Sequence, residues 1–337
     1  MSFRRPSAEA SRGAAHPVPG LDDSLDPALA EAGRQRLVGV LFAAVAVLGF
    51  SIRPILIKQA YSYNADPVTL IALRMAFALP FFVLPLFWPW RGSSMTGAAR
   101  TLRQPPLGAR DLAAIALLGC ISYYVSSFLD FAGLQYVSAG IGRLLLFLYP
   151  TVVVLLSALF LGKRVERREI AALAVSYAGV ALVLSSAFGT NVDLPRGAAL
   201  VFTGAVLYAV YLVGGSRLVW RAGSVRFTCY AMIAASFCCI LQFLLLRPLS
   251  ALDLPVAVFI IAAVIAVVST VVPVFLTTEA LRRIGANEVA IIGALGPASV
   301  VFLGYLGFDE PMTLLQLGGT ALVLAGVLLV SLRRPVR

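Results

Sequence analysis

The sequence predicts an all-α integral membrane protein whose ten transmembrane helices form two inverted five-helix repeats. Three observations carry that prediction. Hydrophobic residues fill 60% of the 337 positions and Asp, Glu, Lys and Arg together only 13%, about half the charged share of a soluble domain. A soluble fold of this size could not hide so much apolar surface. The apolar residues are gathered into ten runs, each long enough to supply the roughly 20 residues that cross a bilayer as helix. The second half of the chain also repeats the first at a constant offset of 147 residues, with opposite charge at equivalent turns.

Taken in order, residues 1–36 read as a flexible cytoplasmic tail. They hold Pro6, Pro17, Pro19 and Pro27, with Arg4, Arg5 and Arg12 early and Asp22, Asp23, Asp26 and Glu31 late. No apolar stretch follows the first arginines, as one would in a signal peptide. The predicted spans lie near 37–57, 67–88, 111–134, 138–161, 168–187, 195–216, 226–247, 255–278, 286–307 and 312–332. Short connections imply antiparallel neighbours; the longest, 89–110, contains Pro105 and Pro106. Glycine and proline inside the runs do not oppose helix, because lipid leaves the backbone few alternatives. The first repeat then covers 37–187 and the second 195–332, and 333–337 form a short cytoplasmic tail.

The net charge of +11 would suggest nucleic acid in a soluble protein. Here it marks topology. With the N-terminus in the cytoplasm, 21 of the 27 basic residues fall on the cytoplasmic side, and only Lys58, Arg196 and Arg247 on the opposite side. The positive-inside rule therefore predicts a multi-pass protein of the cell (inner) membrane with both termini cytoplasmic, and no nucleic-acid partner.

The repeat is clearest between residues 133–184 and 280–331. Leu134 matches Leu281, Ala139 matches Ala286, Pro150 matches Pro297 and Gly179 matches Gly326. An odd number of helices per copy inverts the second copy. The turn at Gly162-Lys163-Arg164 is basic while its mate, Asp309-Glu310-Pro311, is acidic; the uncharged turn at 134–138 has a mate carrying Arg282 and Arg283. Inverted repeats let two similar half-structures exchange conformations around one central site.

On these residues, together with Ser138-Ala139-Gly140 opening the fourth span, Leu295-Gly296-Pro297, Phe308-Asp309-Glu310 and the Gly-rich last helix, the chain resembles the drug/metabolite transporter superfamily, specifically its ten-helix EamA-type members, over about residues 37–332. The resemblance implies two five-helix halves around a central cavity, with helices three, four, eight and nine central and helices one, two, six and seven gating. It also implies that amino acids or other small metabolites are moved, often outward. Where the family commonly has Gly-Glu after the fourth span, this chain has Gly162-Lys163.

Charge inside hydrocarbon is costly and marks protein-facing or water-facing positions. Arg53, Arg74, Asp130 and Arg143 lie inside the predicted spans, and alternating helix direction puts them near one external level with Lys58. They read as a basic pocket for an anionic or carboxylate-bearing solute, Asp130 partnering one arginine. The alternative is snorkelling with structural pairing. On an α-helix, Tyr123, Ser127 and Asp130 share a face through their i, i+4, i+7 spacing. Phe147 follows Arg143 by four residues, and span six offers Tyr208 and Tyr211. These suit an aromatic and hydroxyl lining, or ordinary helix packing. Asp130, Glu279 and Glu288 are the candidate proton-coupling carboxylates; the two glutamates could instead pair with Arg282 or Arg283.

No enzyme chemistry, metal or cofactor is expected. The one histidine, His16, lies in the tail, and Cys120, Cys229, Cys238 and Cys239 form no metal-ligand motif. There is no phosphate-binding GxxxxGK[ST] loop to suggest ATP drive. The expected function is secondary transport of a small metabolite by alternating access, most readily an anionic or carboxylate-bearing solute. The alternatives are a broad or aromatic amino acid exporter and a flippase for a lipid-linked substrate. The expected partners are the solute, membrane lipids and protons.

Overall fold

The computed structural model describes residues 25–87, 107–161, 167–187, 192–293, 296, 299–300, 302–303 and 314–331, and within them the chain is helical apart from short turns. Seven helical stretches are long and apolar enough to cross a membrane: Gly33–Ser62, Pro67–Leu86, Ala109–Gly133, Ala139–Phe160, Leu194–Gly215, Val225–Leu246 and Val256–Ala280. They correspond to predicted spans one to four and six to eight, and the protein is a multi-pass membrane protein.

The helices are α1 (Leu25–Ser62), α2 (Pro67–Phe87), α3 (Ala109–Gly119), α4 (Ser127–Gly133), α5 (Ala139–Leu146), α6 (Tyr149–Leu161), α7 (Arg167–Ala187), α8 (Leu194–Ala222), α9 (Ser224–Leu246), α10 (Val256–Ala266), α11 (Val272–Gly293) and α12 (Leu314–Ser331). Predicted spans five and ten are the helices α7 and α12, whose apolar stretches among the described residues are Ala174–Val183 and Leu317–Gly326. In α7 the first turn is taken up by Arg167, Arg168 and Glu169. The ninth predicted span, 286–307, is described only at 286–293, 296, 299–300 and 302–303, so the expected ten spans become seven of membrane length among the described residues.

Two boundaries differ from expectation. Helix α1 begins at Leu25, so the last twelve residues of the predicted tail are helical. Ala, Leu, Glu and Gln favour helix there, and Gln35 Nε2 donates to Glu31 Oε1 at 2.6 Å, one turn away. The predicted turn between spans eight and nine is also helical, because α11 runs through Arg282 and Arg283 to Gly293. A pair of arginines reads as a loop, yet Arg283 Nε donates to Glu279 Oε1 at 2.7 Å, four residues back. That spacing belongs to a helix.

Turn chemistry fixes the ends. Asn64 takes a left-handed conformation (φ 60°) after α1, where its short polar side chain is tolerated. The backbone N–H groups of Val68 and Thr69 donate to Asp66 Oδ1 at the start of α2. Ser138 Oγ accepts from the Ile141 N–H to cap α5. Gly223, at φ 77°, makes the reversal between α8 and α9, a conformation that costs glycine nothing.

Two of the spans carry a π-helical segment. Cys120–Ser126, between α3 and α4, and Val267–Val271, between α10 and α11, are π-helical. Cys120 and Val267 stand at the repeat offset of 147, so the same defect occurs at the same place in both halves. Ser122 and Ser269 are equivalent too, and each has a buried Oγ with no hydrogen-bond partner. Such segments are rare and are often found at functional sites.

The packing has a two-fold pattern. Span one, α1, lies along α11 and the second π segment; its counterpart α8 lies along the first π segment and α4. Helix α2 packs on α9, and α7 on α12, each pair joining equivalent helices of the two halves. Glycines allow these approaches. A Cβ on Gly319 would meet the Gly179 carbonyl at 2.6 Å, and a Cβ on Gly179 would meet the Gly319 carbonyl at 2.7 Å. A Cβ on Gly119 would lie 2.4 Å from the Ala231 carbonyl oxygen. Small residues at helix crossings are how membrane helices gain contact when lipid supplies no hydrophobic drive.

Candidate functional site

The ionisable residues of the first four spans converge. Arg53 comes from α1, Arg74 from α2, Asp130 from α4 and Arg143 from α5. Arg53 Nη2 lies 3.7 Å from Asp130 Oδ2, with side chains 16% and 7% exposed. Arg143 and Arg74 also act on Asp130 electrostatically, and Arg53 acts on both arginines. Arg74 is buried, with its guanidinium carbon 5.0 Å from the centre of the Phe131 ring; Arg143 lies 5.9 Å from that of Phe147. Both are cation–π geometries.

What distinguishes this cluster is its unmet hydrogen-bonding capacity. Arg53 Nε, Arg74 Nε, Arg74 Nη2 and Arg143 Nε are all buried without a partner. Buried polar groups are nearly always paired, and each exception calls for a reason. Snorkelling supplies none, because these nitrogens do not reach the surface. Guanidinium donors in a fork match carboxylate and phosphate oxygens.

The second half of the chain closes on the same point. A Cβ on Gly296 would sit 3.0 Å from Arg143 Nη2, so a bare glycine lets the guanidinium approach. Ser51 Oγ, from α1, donates to the Gly296 carbonyl at 3.3 Å. Gly296 stands in the predicted ninth span, so the cluster sits where the two repeats meet.

An aromatic layer lies on one side of the cations. Tyr123 Oη and Tyr211 Oη are 3.2 Å apart. Tyr208 stacks on Tyr211 at 6.0 Å, Tyr149 meets Tyr208 edge-on at 5.0 Å, and Phe147 meets Tyr149 edge-on at 6.0 Å. Tyr123 precedes Asp130, Tyr149 follows Arg143, and Tyr208 and Tyr211 follow Gly204. Because α8 runs antiparallel to α4, with Gly133 against Gly197 and Ser126 against Gly204, these displacements all point the same way. Tyr149 and Tyr208 lie within electrostatic reach of Arg143. A solute with a charged group among the arginines would lay its carbon skeleton against these rings.

Of the predicted site residues, Arg53, Arg74, Asp130 and Arg143 come together in one group, and Phe147, Tyr123, Tyr208 and Tyr211 in the adjoining layer. Ser127 is different. Its predicted alignment with Tyr123 and Asp130 assumed 3.6 residues per turn, and the π segment changes that phase. Ser126 is the hydroxyl that bonds into the neighbouring helix, donating to the Gly204 carbonyl at 2.7 Å. Glu279 lies apart from the cluster: its carboxylate holds Arg283, which also reaches Gln35 Oε1 and lies over Phe42. The Glu288 side chain lies outside the described residues.

Sequence reasoning missed Ser51, Tyr61 and Gly296. Tyr61 Oη donates to the Phe131 carbonyl at 2.6 Å, tying α1 to the helix that holds Asp130. Ser51, two residues before Arg53, was the available signal: a hydroxyl beside a charge in an apolar run. Gly296 is legible in the sequence as a small residue suited to close helix packing, but not as the neighbour of Arg143.

Known proteins agree with this architecture. A family model described as EamA-like transporter family matches residues 37–185 and 195–332. A Bacillus subtilis (strain 168) protein named uncharacterized transporter YcbK is 30% identical over 306 residues, covering 87% of this chain and 94% of its own. A Streptantibioticus cattleyicolor protein named as a probable terminal-alkyne amino-acid exporter is 31% identical over 256 residues, covering 71% and 82%. A solved crystal structure shares the fold with a TM-score of 0.57 at 21% identity, covering 88% of this chain and 97% of that one.

Proposed function

The chain belongs to the EamA-like transporter family, and from that premise we propose that it is a secondary transporter of a small anionic or carboxylate-bearing solute, working by alternating access. The observation that carries the choice of solute is the set of buried, unpartnered guanidinium nitrogens on Arg53, Arg74 and Arg143. A transporter site must hold its solute and release it. Arginines satisfied by protein alone would have no reason to bind one.

In this reading the chain has ten spans in two inverted repeats, 37–187 and 195–332, and both termini are cytoplasmic. The solute sits between the halves, contacted by Arg143 near Gly296, and its passage exchanges outward-open and inward-open arrangements of the two repeats. Asp130 is the carboxylate placed to couple a proton, since it shares the arginines with the solute.

A second reading, export of an amino acid, is favoured by the aromatic layer and by the name of the Streptantibioticus relative. Its carboxylate would use the same arginines. The test is thermal stabilisation of the purified full-length chain by carboxylates, followed by flux into proteoliposomes. A ligand specific for the native state raises apparent stability by mass action. Stabilisation by carboxylates that disappears in Arg143→Gln supports the reading. Stabilisation confined to neutral solutes, indifferent to Arg74→Gln and Arg143→Gln, overturns it.

A further inference from the structure

We infer that the solute this site is built for carries two negative charges on a compact headgroup. The inference rests on the anion-transport reading above and narrows it by charge. Arg53, Arg74 and Arg143 are three cations; Asp130 is the only anion among the described residues that the electrostatics of this cluster bring to them. The group therefore has two positive charges in excess. In a surrounding of low polarity, unbalanced charge is strongly disfavoured. A monoanion would leave one cation unmatched, and a dianion balances the group.

Donor geometry agrees with the charge. Four unpartnered nitrogens are distributed over three side chains from three helices, two of them on Arg74. A single carboxylate has two oxygens and is held well by one guanidinium fork. Donors spread over three helices suit a group with more oxygens: a second carboxylate, or the three terminal oxygens of a phosphate monoester. These share one recognition chemistry, several anionic oxygens bearing two charges. The aromatic layer beside Arg143 would take the remainder of the molecule, which can be apolar and planar.

The experiment compares matched pairs differing in charge, with the full-length wild-type chain in detergent at low salt and a pH of about 8, where carboxylates are fully ionised. Succinate is set against butyrate, and phenyl phosphate against phenylacetate, by titration of thermal stabilisation. The expected result is about tenfold tighter binding of the dianion in at least one pair, shrinking toward parity in Arg74→Gln. Which pair shows it separates a dicarboxylate from a phosphate monoester. The wild-type comparison stands even if the variant does not fold. Equal affinity within both pairs would overturn the dianion inference and leave the anion reading in place. Absence of stabilisation by all four would overturn both.

Discussion

Neutralising Asp130 is the most informative single perturbation. In Asp130→Asn the site keeps its shape and loses its one carboxylate among the described residues. At the observed 3.7 Å from Arg53, an effective dielectric of about 20 gives an attraction of about 4.5 kcal/mol. Removing one partner of a buried pair costs about 3–5 kcal/mol, and we expect Asp130→Asn to fall in that range. Arg53→Gln should be milder, about 1–2 kcal/mol, for a specific reason. It leaves Asp130 with Arg74 and Arg143 and removes the repulsion Arg53 exerts on both. The double variant should then lose much less than the sum of the two losses, with a coupling of at least about 1.5 kcal/mol. The assay is reversible denaturation in detergent for the four proteins of the cycle. Added sulfate should recover part of the loss in Asp130→Asn and little in Arg53→Gln. Losses below about 1 kcal/mol for both single variants, with no coupling, would mean water screens the pair as it does at a surface, and the argument from buried charge would fail.

Other expectations follow from single contacts. Gly119→Ala should destabilise by about 1–3 kcal/mol, because the new methyl meets Ala231 main chain, which cannot rotate away; thermal unfolding in detergent measures it. Tyr211→Phe should cost about 1 kcal/mol by the same measurement, since it removes the hydroxyl contact with Tyr123 and keeps the ring stacked on Tyr208. Ser122→Ala and Ser269→Ala should be neutral or slightly stabilising, because each deletes a buried hydroxyl that has no partner. The Cys120 and Cys238 sulfurs are 3.2 Å apart, so mild two-electron oxidation should join α9 to the first π segment, detectable as a cross-linked peptide by mass spectrometry and lost in Cys238→Ser.

Much of this was legible in the sequence, for identifiable reasons. Arg53, Arg74, Asp130 and Arg143 stood out because charge in an apolar run must be explained, and alternating helix direction sufficed to bring them to one level. Their common environment needed no knowledge of side-chain rotamers. Asp66 and Arg247 meet at 3.1 Å, and Asp111 and Arg221 at 3.0 Å, each pair joining chain segments that alternating helix direction brings to one end of the bundle. The helical course through Arg282 and Arg283 was not legible, because a pair of arginines carries the same signal in a loop and within a continuing helix. Gly296 contributes by lacking a side chain, and its role depends on what lies opposite. The π segments left no mark. Cys-Ile-Ser-Tyr-Tyr-Val-Ser and Val-Val-Ser-Thr-Val contain neither glycine nor proline, and their irregularity is a matter of backbone register.

That register has a consequence for how the protein tolerates change. A π turn holds one residue more than an α turn, so everything beyond it is set by a count. Asp130 faces Arg53 because of the number of residues between Gly119 and Ser127, whatever most of those residues are. The two segments share serine at one aligned position and differ at the other four compared, Cys120, Ile121, Tyr123 and Tyr124 against Val267, Val268, Thr270 and Val271. Most substitutions here should therefore be absorbed as long as the π turn persists. Relaxation of the segment to regular α-helix with its residue count unchanged would swing Asp130 by about 100° around the axis, out of the arginine cluster, without altering a single side chain of the site, whereas deletion of one residue within the segment would compensate for that relaxation and return Asp130 to its face.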